Sequence, residues 1–371
     1  MRHALGWLER RFNLTEMFSF LSSFGLLPLP LDTSRPMGDA IRASLEQPMP
    51  SYARWPRVLG ILSLMLFLFL AVTGVMLAFY YQPSPEEAYG SVTTIVRDVP
   101  FGWFVHQIHG WAAHALLLIL LVRAWRFYFQ GLYREPREGL WILAILLFFA
   151  ATNSDFTGRL LAWDSGGYWS TIRALEIVWS LPLLGPLLRF LVGGTEPDNL
   201  LLIRFYFLHV VVLPGIILVL LYLNFSGVRR VGLSTTPGES RLGMASFRVH
   251  LYSLAILMLL IFGLLVTLSA LVPAPYEDRA DPFVTPPGAR PPWYLLAAHG
   301  FLEVFPAGVP RWARALLLEG ILLIALLWPF LDRARRPAAG WQTGWRAIFG
   351  AMVLMGWLAF SVYGWWLEGA P

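Results

Sequence analysis

Seven apolar segments, each about long enough to cross a bilayer, constrain the fold more than any other feature of this 371-residue sequence. A helix that spans the hydrocarbon core needs about 20 mostly apolar residues, and it satisfies its own backbone hydrogen bonds there. The sequence therefore predicts an all-α integral membrane protein with about seven transmembrane helices. The predicted spans are 59–81, 105–128, 139–162, 201–225, 249–272, 312–331 and 346–366.

Arginines cluster in the connections that follow spans two, four and six, and they are scarce in the connection after span one. Positively charged loops usually stay on the cytoplasmic side of a membrane. This pattern predicts a cytoplasmic N-terminus, a cytoplasmic-side arm over residues 1–55, and a location in the bacterial inner (cytoplasmic) membrane. The connections 163–200 and 273–311 then lie on the opposite, positive side, where we expect short surface helices. The net charge of +5 thus reflects topology and not nucleic-acid binding.

Two histidines lie inside predicted spans, where water cannot solvate an imidazole. His109 is an early residue of the second span and His209 of the fourth, and both helices run inward in the predicted topology. Neutral imidazoles at similar depth on two helices are suitable axial ligands for a heme iron. The chain has no cysteine, which excludes cysteine-ligated iron–sulfur clusters and covalent heme attachment. The pair therefore predicts a noncovalent heme b.

Three glycines in the first and third spans are candidates for heme packing. Gly60 and Gly74 are fourteen residues apart, which places them on nearly one helix face, and Gly158 lies near the outer end of the third span. Glycine lets a flat macrocycle approach the backbone closely. Ordinary packing of small residues between membrane helices gives the same pattern, and the sequence leaves both interpretations open.

Six ordered stretches resemble the cytochrome b family of bc-type complexes, in the layout that fuses a four-helix cytochrome to a three-helix subunit IV. They cover nearly the whole chain after residue 55. The resemblance implies a four-helix heme-binding domain over 56–230 and a subunit-IV-like three-helix domain over 231–371. The matching stretches are TGVMLAFYYQPSPEEAYGSV (73–92), VPFGWFVHQIHG (99–110), PREGLW (136–141), TGRLLAWDSGGYW (157–169), RFYFLHVVVLP (204–214) and TPPGARPPWYLL (285–296).

In that family two hemes stack between spans two and four. His109 and His209 match the ligands of the heme near the positive side. The resemblance implies a heme propionate contact for Arg204, which matches the family and is the stronger candidate. His106, at a position where the family has an arginine, is the weaker candidate for the same role.

The ligands of the second heme fall on Arg123 and Asn224, and neither is a normal iron ligand. Ala144 is a third departure, at a position where the family has a glycine facing that heme. The resemblance with these departures implies one heme b, with the cytoplasmic-side heme lost. The Arg123–Asn224 region is expected to be a plugged polar cavity or to hold a lipid or quinone head group.

The motif PPWY, residues 291–294, resembles the quinol-oxidation loop of the family. A glutamate that accepts a proton from quinol normally stands at the position of Pro292, which Trp293 and Tyr294 follow. Asp155 and Arg159 are additional charged groups on span three, at the spacing of an i,i+4 ion pair. An ion pair is the favoured interpretation, and a substitute proton acceptor is the alternative. Two further family residues, a proline and a glutamine, are replaced by Ala162 and Ser165, so the quinol site looks degenerate.

The remaining histidines are weaker candidates. His114 is rotated away from His109 on the same helix and is expected to face a partner or another helix, not to bind iron. His3, His250 and His299 are expected to be solvated or capping residues at the membrane interface.

Two functions follow as hypotheses. The first is a membrane electron-transfer subunit of a multi-subunit respiratory or photosynthetic redox complex. It would bind one heme b and link quinol or quinone to an extracytoplasmic c-type cytochrome, Rieske-type protein or metalloenzyme. The second is a non-catalytic membrane anchor or docking subunit that keeps the fold while other subunits carry the redox chemistry.

Overall fold

The computed structural model describes residues 36–50, 58–192, 199–232, 243–273, 276–332 and 344–367. Within these residues, seven helical segments are long and apolar enough to cross a membrane, which confirms the predicted number and order of spans. The helices outside the fourth span are α2 (Leu59–Ala78), α4 (Gly102–Phe129), α5 (Glu138–Leu161), α10 (Phe247–Leu271), α12 (Arg311–Leu331) and α13 (Trp345–Leu367).

Shorter elements occupy the connections, as predicted for 163–200 and 273–311. The arm predicted over residues 1–55 is described only from residue 36 onward, and the rest of it lies outside the described residues. Strands β1 (Pro48–Pro50) and β2 (Met244–Ser246) pair antiparallel, a small exception to the all-α prediction. The short helices are α1 (Met37–Glu46), α3 (Ala88–Arg97), α6 (Ser165–Ser180), α7 (Leu184–Val192), a 3-10 turn (Trp293–Leu295) and α11 (Leu296–Glu303).

The fourth span is continuous but not uniformly α-helical. It consists of α8 (Asn199–Phe207), a π-helical segment (Leu208–Val212) and α9 (Leu213–Val231). Pro214 has no N–H to donate to the carbonyl four residues earlier, which disturbs the α-helical ladder at this point. The N–H of Leu213 bonds the carbonyl of Leu208, a five-residue step that widens the turn. His209 lies inside this widened turn, so its ring direction is not the one a regular helix would give.

The helices α2, α4, α5 and α9 share one apolar core. Its most buried members come from all four helices and include Leu62, Leu117, Leu147 and Leu221. The opposite faces expose leucine, valine and phenylalanine, which suits hydrocarbon and not water. The first four spans therefore form a bundle whose interior positions the candidate ligands.

The C-terminal helices join this bundle through a buried polar contact beyond the end of α12. The Tyr133 hydroxyl donates to Oδ2 of Asp332 at 2.6 Å, and Arg346 binds both oxygens of the same carboxylate. Burial raises the pKa of Asp332, but the hydrogen bonds from Arg346 and Tyr133 outweigh it and hold the pKa below its usual value. These bonds tie the α4–α5 connection to α12 and α13.

The prediction that His299 is a solvated or capping residue at the interface is wrong. Its exposed fraction is 8%, because α11 packs very closely against α13. A Cβ added to Gly300 would lie 2.2 Å from the carbonyl oxygen of Phe360, so only a glycine allows this approach. His250 lies at the start of α10 and is half-buried beside Phe247, whereas His3 lies outside the described residues.

Candidate heme site and its surroundings

His109 of α4 and His209 of the π-helical segment face each other inside the bundle. Their ring centres are 6.3 Å apart, with the ring planes 69° from parallel. Two metal–imidazole bonds of about 2 Å, with each ring nitrogen about 1.2 Å from its ring centre, separate trans ring centres by roughly 6 Å. The spacing of the two rings therefore suits one metal ion bound between them. We call this pair the histidine level.

Hydrogen bonds at Nδ1 set the tautomer of both rings. The Thr73 hydroxyl donates its hydrogen to the carbonyl of Phe69, so it accepts the Nδ1–H of His109 at 2.8 Å. Nδ1 of His209 lies 2.8 Å from the carbonyl oxygen of Ser154, which can only accept. Both Nδ1 atoms are thus donors, and both Nε2 atoms keep a lone pair for a metal. Such outer hydrogen bonds are typical of metal-binding histidines.

Two of the three candidate glycines lie against these rings. A Cβ added to Gly158 would be 2.6 Å from Cε1 of His209, and one added to Gly74 would be 3.2 Å from Cε1 of His109. Gly60 is different, because its added Cβ would meet Phe225 and Asn224 at 3.9 and 4.0 Å. The structure therefore separates Gly60 from the histidine level, although the sequence grouped it with the other two.

His106 and Arg204 were the candidates for a heme propionate. Nδ1 of His106 is buried and has no hydrogen-bond partner among the described residues, one helical turn from His109. The ring of Tyr276 faces it, with ring centres 6.4 Å apart, and burial raises the pKa of Tyr276 to about 12. Arg204 is partly buried in α8. A buried nitrogen without a partner, one turn from the histidine pair, suits a polar group of a bound heme. This observation favours His106 over Arg204 as the propionate contact.

Further along the same two helices, Arg123 and Asn224 bond directly to each other. Nη2 of Arg123 donates to Oδ1 of Asn224, and the two residues are 4% and 2% exposed. The other terminal nitrogen, Nη1, is buried without a partner in the described part of the chain. Neither side chain offers a lone pair that suits iron. We call this pair the arginine level.

A second polar cluster lies where α4, α5 and the 3-10 turn meet. Nε of Arg159 donates to Oδ2 of Asp155 at 2.8 Å, which is the ion pair that the i,i+4 spacing predicted. The Tyr294 hydroxyl donates to the same oxygen at 2.9 Å. Nδ1 of His114 lies 3.8 Å from Oδ1 of Asp155 and accepts a 3.4 Å bond from the indole N–H of Trp293. Two residues of the PPWY motif, Trp293 and Tyr294, therefore share a cluster with Asp155 and Arg159 of α5.

Pro292 precedes this turn and contributes no acid or base. Ala162 directly follows α5 and Ser165 is the first residue of α6, where its N–H donates to the carbonyl of Asp278. The sequence did not associate His114 with Asp155, because their proximity depends on how α4 and α5 cross.

The sequence also missed Thr73, Thr157 and the carbonyl of Ser154. A signal was present, since the dipeptide Thr–Gly occurs at 73–74 and again at 157–158, once on each helix that supports a histidine. Oγ1 of Thr157 lies 3.5 Å from Nδ1 of His209, so the two threonines occupy corresponding places. A backbone carbonyl such as that of Ser154 leaves no trace in a sequence.

This geometry defines a membrane helix bundle with a buried bis-histidine site, and comparisons with known proteins specify its family. The family described as "Cytochrome b/b6/petB" matches residues 44–232, and "Cytochrome b(C-terminal)/b6/petD" matches residues 279–366. The chain belongs to the cytochrome b family. The two matches correspond to the fused four-helix and three-helix layout, while the boundary near residue 230 stays a prediction.

Individual relatives agree with this assignment. A "Cytochrome bc complex cytochrome b subunit" of Chlorobaculum thiosulfatiphilum is 31% identical over 74% of this chain, and the chain spans 65% of that relative. "Cytochrome b6" of Heliobacterium modesticaldum is 36% identical over 51% of this chain and 90% of its own length. A solved chain of a "Hyperthermophilic respiratory Complex III" is 26% identical and superposes with a TM-score of 0.69, covering 90% of this chain and 98% of that one.

Proposed function

We propose that this protein is a membrane electron-transfer subunit of a bc-type redox complex and that it binds a single heme b between His109 and His209. The observation that carries the proposal is the pair of imidazoles 6.3 Å apart whose Nδ1–H groups are both engaged, which leaves each Nε2 free for iron. Gly74 and Gly158 leave space beside the rings, and His106 offers a partner for a propionate.

The number of hemes rests on the arginine level. To bind a second heme at the depth of Arg123 and Asn224, each of the two helices would need a side chain with a lone pair for the iron. These side chains instead bond to each other and bridge the gap between α4 and α9. Ala144 of α5 is also fully buried at 2% exposure, with a methyl group where a close approach would need a glycine. One heme per chain is therefore the expected stoichiometry.

A heme in this site supplies reversible one-electron transfer. The protein residues would hold and orient it, since Thr73 and Ser154 fix the ring directions and the apolar core excludes water. Without a second center, an electron would have to cross most of a hydrocarbon core about 30 Å thick to reach the far side. We therefore infer exchange on one side only, between quinol or quinone in the bilayer and an extracytoplasmic partner of the c-type cytochrome, Rieske or metalloenzyme class.

The same proposal places the chain in a bacterial cytoplasmic membrane with its N-terminus in the cytoplasm. The histidine level then lies toward the positive side, with other subunits and lipids around the exposed apolar faces. The positively charged connections support this orientation.

Heme stoichiometry tests the proposal. A pyridine hemochrome assay on the purified protein, normalised to protein by amino-acid analysis, is expected to give one heme b per chain with a dithionite-reducible b-type spectrum. Two hemes per chain would contradict the interpretation of the arginine level. No heme would contradict the electron-transfer role.

The alternative function is a non-catalytic anchor, and one specific observation favours it. Pro292 supplies no carboxylate at the turn where Trp293 and Tyr294 approach the bundle. An anchor that retained heme would be reduced by dithionite but not by a quinol. Stopped-flow mixing with a water-soluble quinol therefore separates the two functions.

A further inference from the structure

The polar cluster of Asp155, Arg159, Tyr294, His114 and Trp293 is not needed to hold the heme. Its carboxylate is deeply buried, with a side-chain exposure of 8%, yet it receives hydrogen bonds from two different structural elements. Burying a carboxylate is costly unless several donors compensate for the lost water. An arrangement this elaborate beside a candidate redox center indicates a function beyond packing.

His114 is the basic member of this cluster. The indole of Trp293 can only donate, so Nδ1 of His114 has a lone pair and the neutral ring carries its hydrogen on Nε2. That lone pair also faces Oδ1 of Asp155 at 3.8 Å. If Nδ1 takes up a proton, it exchanges the Trp293 contact for a charge-assisted hydrogen bond to Asp155. The geometry thus provides both a proton acceptor and an anion that stabilises the protonated ring.

The other groups around His114 allow this exchange. Arg159 adds a positive charge, but its Nε is committed to Oδ2 of Asp155, as is the Tyr294 hydroxyl. Oδ1 therefore stays available for His114. His109 lies five residues earlier on the same helix, and α10, which packs on α4, has no charged or titratable side chain between residues 254 and 271.

The cluster is accessible from the bilayer and adjacent to the heme ligand. The side chain of His114 is 35% exposed, on a face of α4 that lipid can reach. Asp155 directly follows Ser154, whose carbonyl accepts the Nδ1–H of His209. A ligand in contact with His114 would therefore be close to the proposed electron acceptor. A lipid-soluble molecule that releases a proton and an electron together is a hydroquinone.

We propose that His114 accepts a proton from a hydroquinone during its oxidation and that Asp155 is the residue that positions and stabilises His114. This inference rests on the proposed function. It assigns the role of base to His114 of α4, supported by Asp155 of α5. Both lie next to the turn at which Pro292 supplies no base.

The step balances in atoms and electrons. A hydroquinone that becomes a quinone loses two electrons and two protons. One hydroxyl O–H breaks as the Nδ1–H of His114 forms, and the second proton leaves to water. The two electrons leave singly to one-electron acceptors, which in the proposed function are iron centers of the heme class and of the Rieske or c-type class.

Stopped-flow reduction of the heme in the purified holoprotein tests this role, with duroquinol and menadiol as the probes at pH 5 to 9. In the wild type, the rate should rise with pH as Nδ1 of His114 loses its proton. His114→Gln should slow the reaction about 100-fold and Asp155→Asn about 10-fold, because general bases contribute at least about 100-fold. Both variants should flatten the pH profile while the quinol concentration at half-saturation changes little.

The control variants separate catalysis from folding. Thr267→Val removes a polar group from an exposed face of α10 and should leave the rate unchanged. Asp155→Glu keeps a carboxylate and should restore most of the pH dependence. Heme content and the dithionite-reduced spectrum should be normal in every variant that is compared.

Each outcome has a distinct meaning. Wild-type rates and pH profiles in both His114→Gln and Asp155→Asn would overturn this inference and leave the proposed function intact. A wild-type heme that dithionite reduces but neither quinol reduces would overturn this inference and the quinol linkage together. A protein without heme would overturn the proposed function itself.

Discussion

The histidine level and the arginine level occupy the same two helices, and their differences show what a heme site requires. The residues are fourteen apart on α4 and fifteen apart on the fourth span, so both pairs lie on similar faces about 21 Å apart along the helices. At the histidine level the two side chains turn toward each other without bonding, because neighbouring groups engage each Nδ1. At the arginine level the side chains satisfy each other. A metal site needs side-chain nitrogens whose lone pairs are not used by another protein group.

The neighbouring helices α2 and α5 also differ between the histidine level and the arginine level. Gly74 and Gly158 lie directly against the two imidazoles, and an added methyl group would collide with or crowd each ring. At the arginine level Gly60 is retained, but its added Cβ would make only ordinary contacts at 3.9 Å. Ala144 already carries a methyl group. Under the proposed function, a close approach to the backbone is needed at the histidine level and is not needed at the arginine level.

The largest expected effect is the loss of a ligand. His209→Leu should abolish heme binding, because one imidazole cannot hold the iron from both sides. Arg123→Leu, on the neighbouring helix at the other level, should leave one heme per chain. Pyridine hemochrome assays of both purified variants make the comparison. Heme loss in the Arg123 variant would contradict the separation of the two levels.

The glycines give the next largest effect. Gly158→Ala places a methyl group 2.6 Å from His209, and overpacking of about 1 to 3 kcal/mol should weaken heme binding by about 10- to 100-fold. Gly60→Ala should leave heme affinity unchanged. Heme titration of the apoprotein, followed by absorbance, measures both.

Gly139→Ala is the matched control for Gly158, since it lies in α5 and nothing is within 4 Å of its added Cβ. Equal affinity in the Gly158 and Gly139 variants would show that the ring of His209 moves freely and that the glycine is incidental.

Removal of a ring-orienting hydroxyl should have an effect no larger than that of Gly158→Ala. Thr73→Val deletes the acceptor for the Nδ1–H of His109, and the loss of such a partner typically lowers metal affinity by about 10- to 100-fold. Thr157→Val should have less effect, because His209 retains the carbonyl of Ser154. Redox titration should show a larger shift of the heme midpoint potential for Thr73→Val. The reverse order would contradict the hydrogen-bond assignment.

Sequence patterns predicted the parts of the molecule that depend on composition and spacing. The seven spans follow from apolar length, and the Asp155–Arg159 ion pair follows from helix geometry alone. The π-helical turn at His209 could not be placed, because Pro214 predicts a disturbance but not the way in which the backbone accommodates it. Contacts between distant segments, such as Tyr294 with Asp155, depend on how helices cross. The same holds for His299, which is buried because two glycines allow α11 and α13 to touch.

The smallest expected effect comes from changes at the arginine level. There we expect a change in the stability of the bundle and no change in heme binding. Arg123→Met leaves the buried Asn224 without a partner and should lower the free energy of unfolding by about 1 to 3 kcal/mol. The double variant Arg123→Met with Asn224→Leu removes both polar groups and should be close to neutral, since an apolar replacement of a buried polar pair often is. Urea unfolding in detergent, followed by tryptophan fluorescence, measures the difference. A double variant that is much less stable than the single one, or that loses heme, would mean that the arginine level supports the histidine level and is not independent of it.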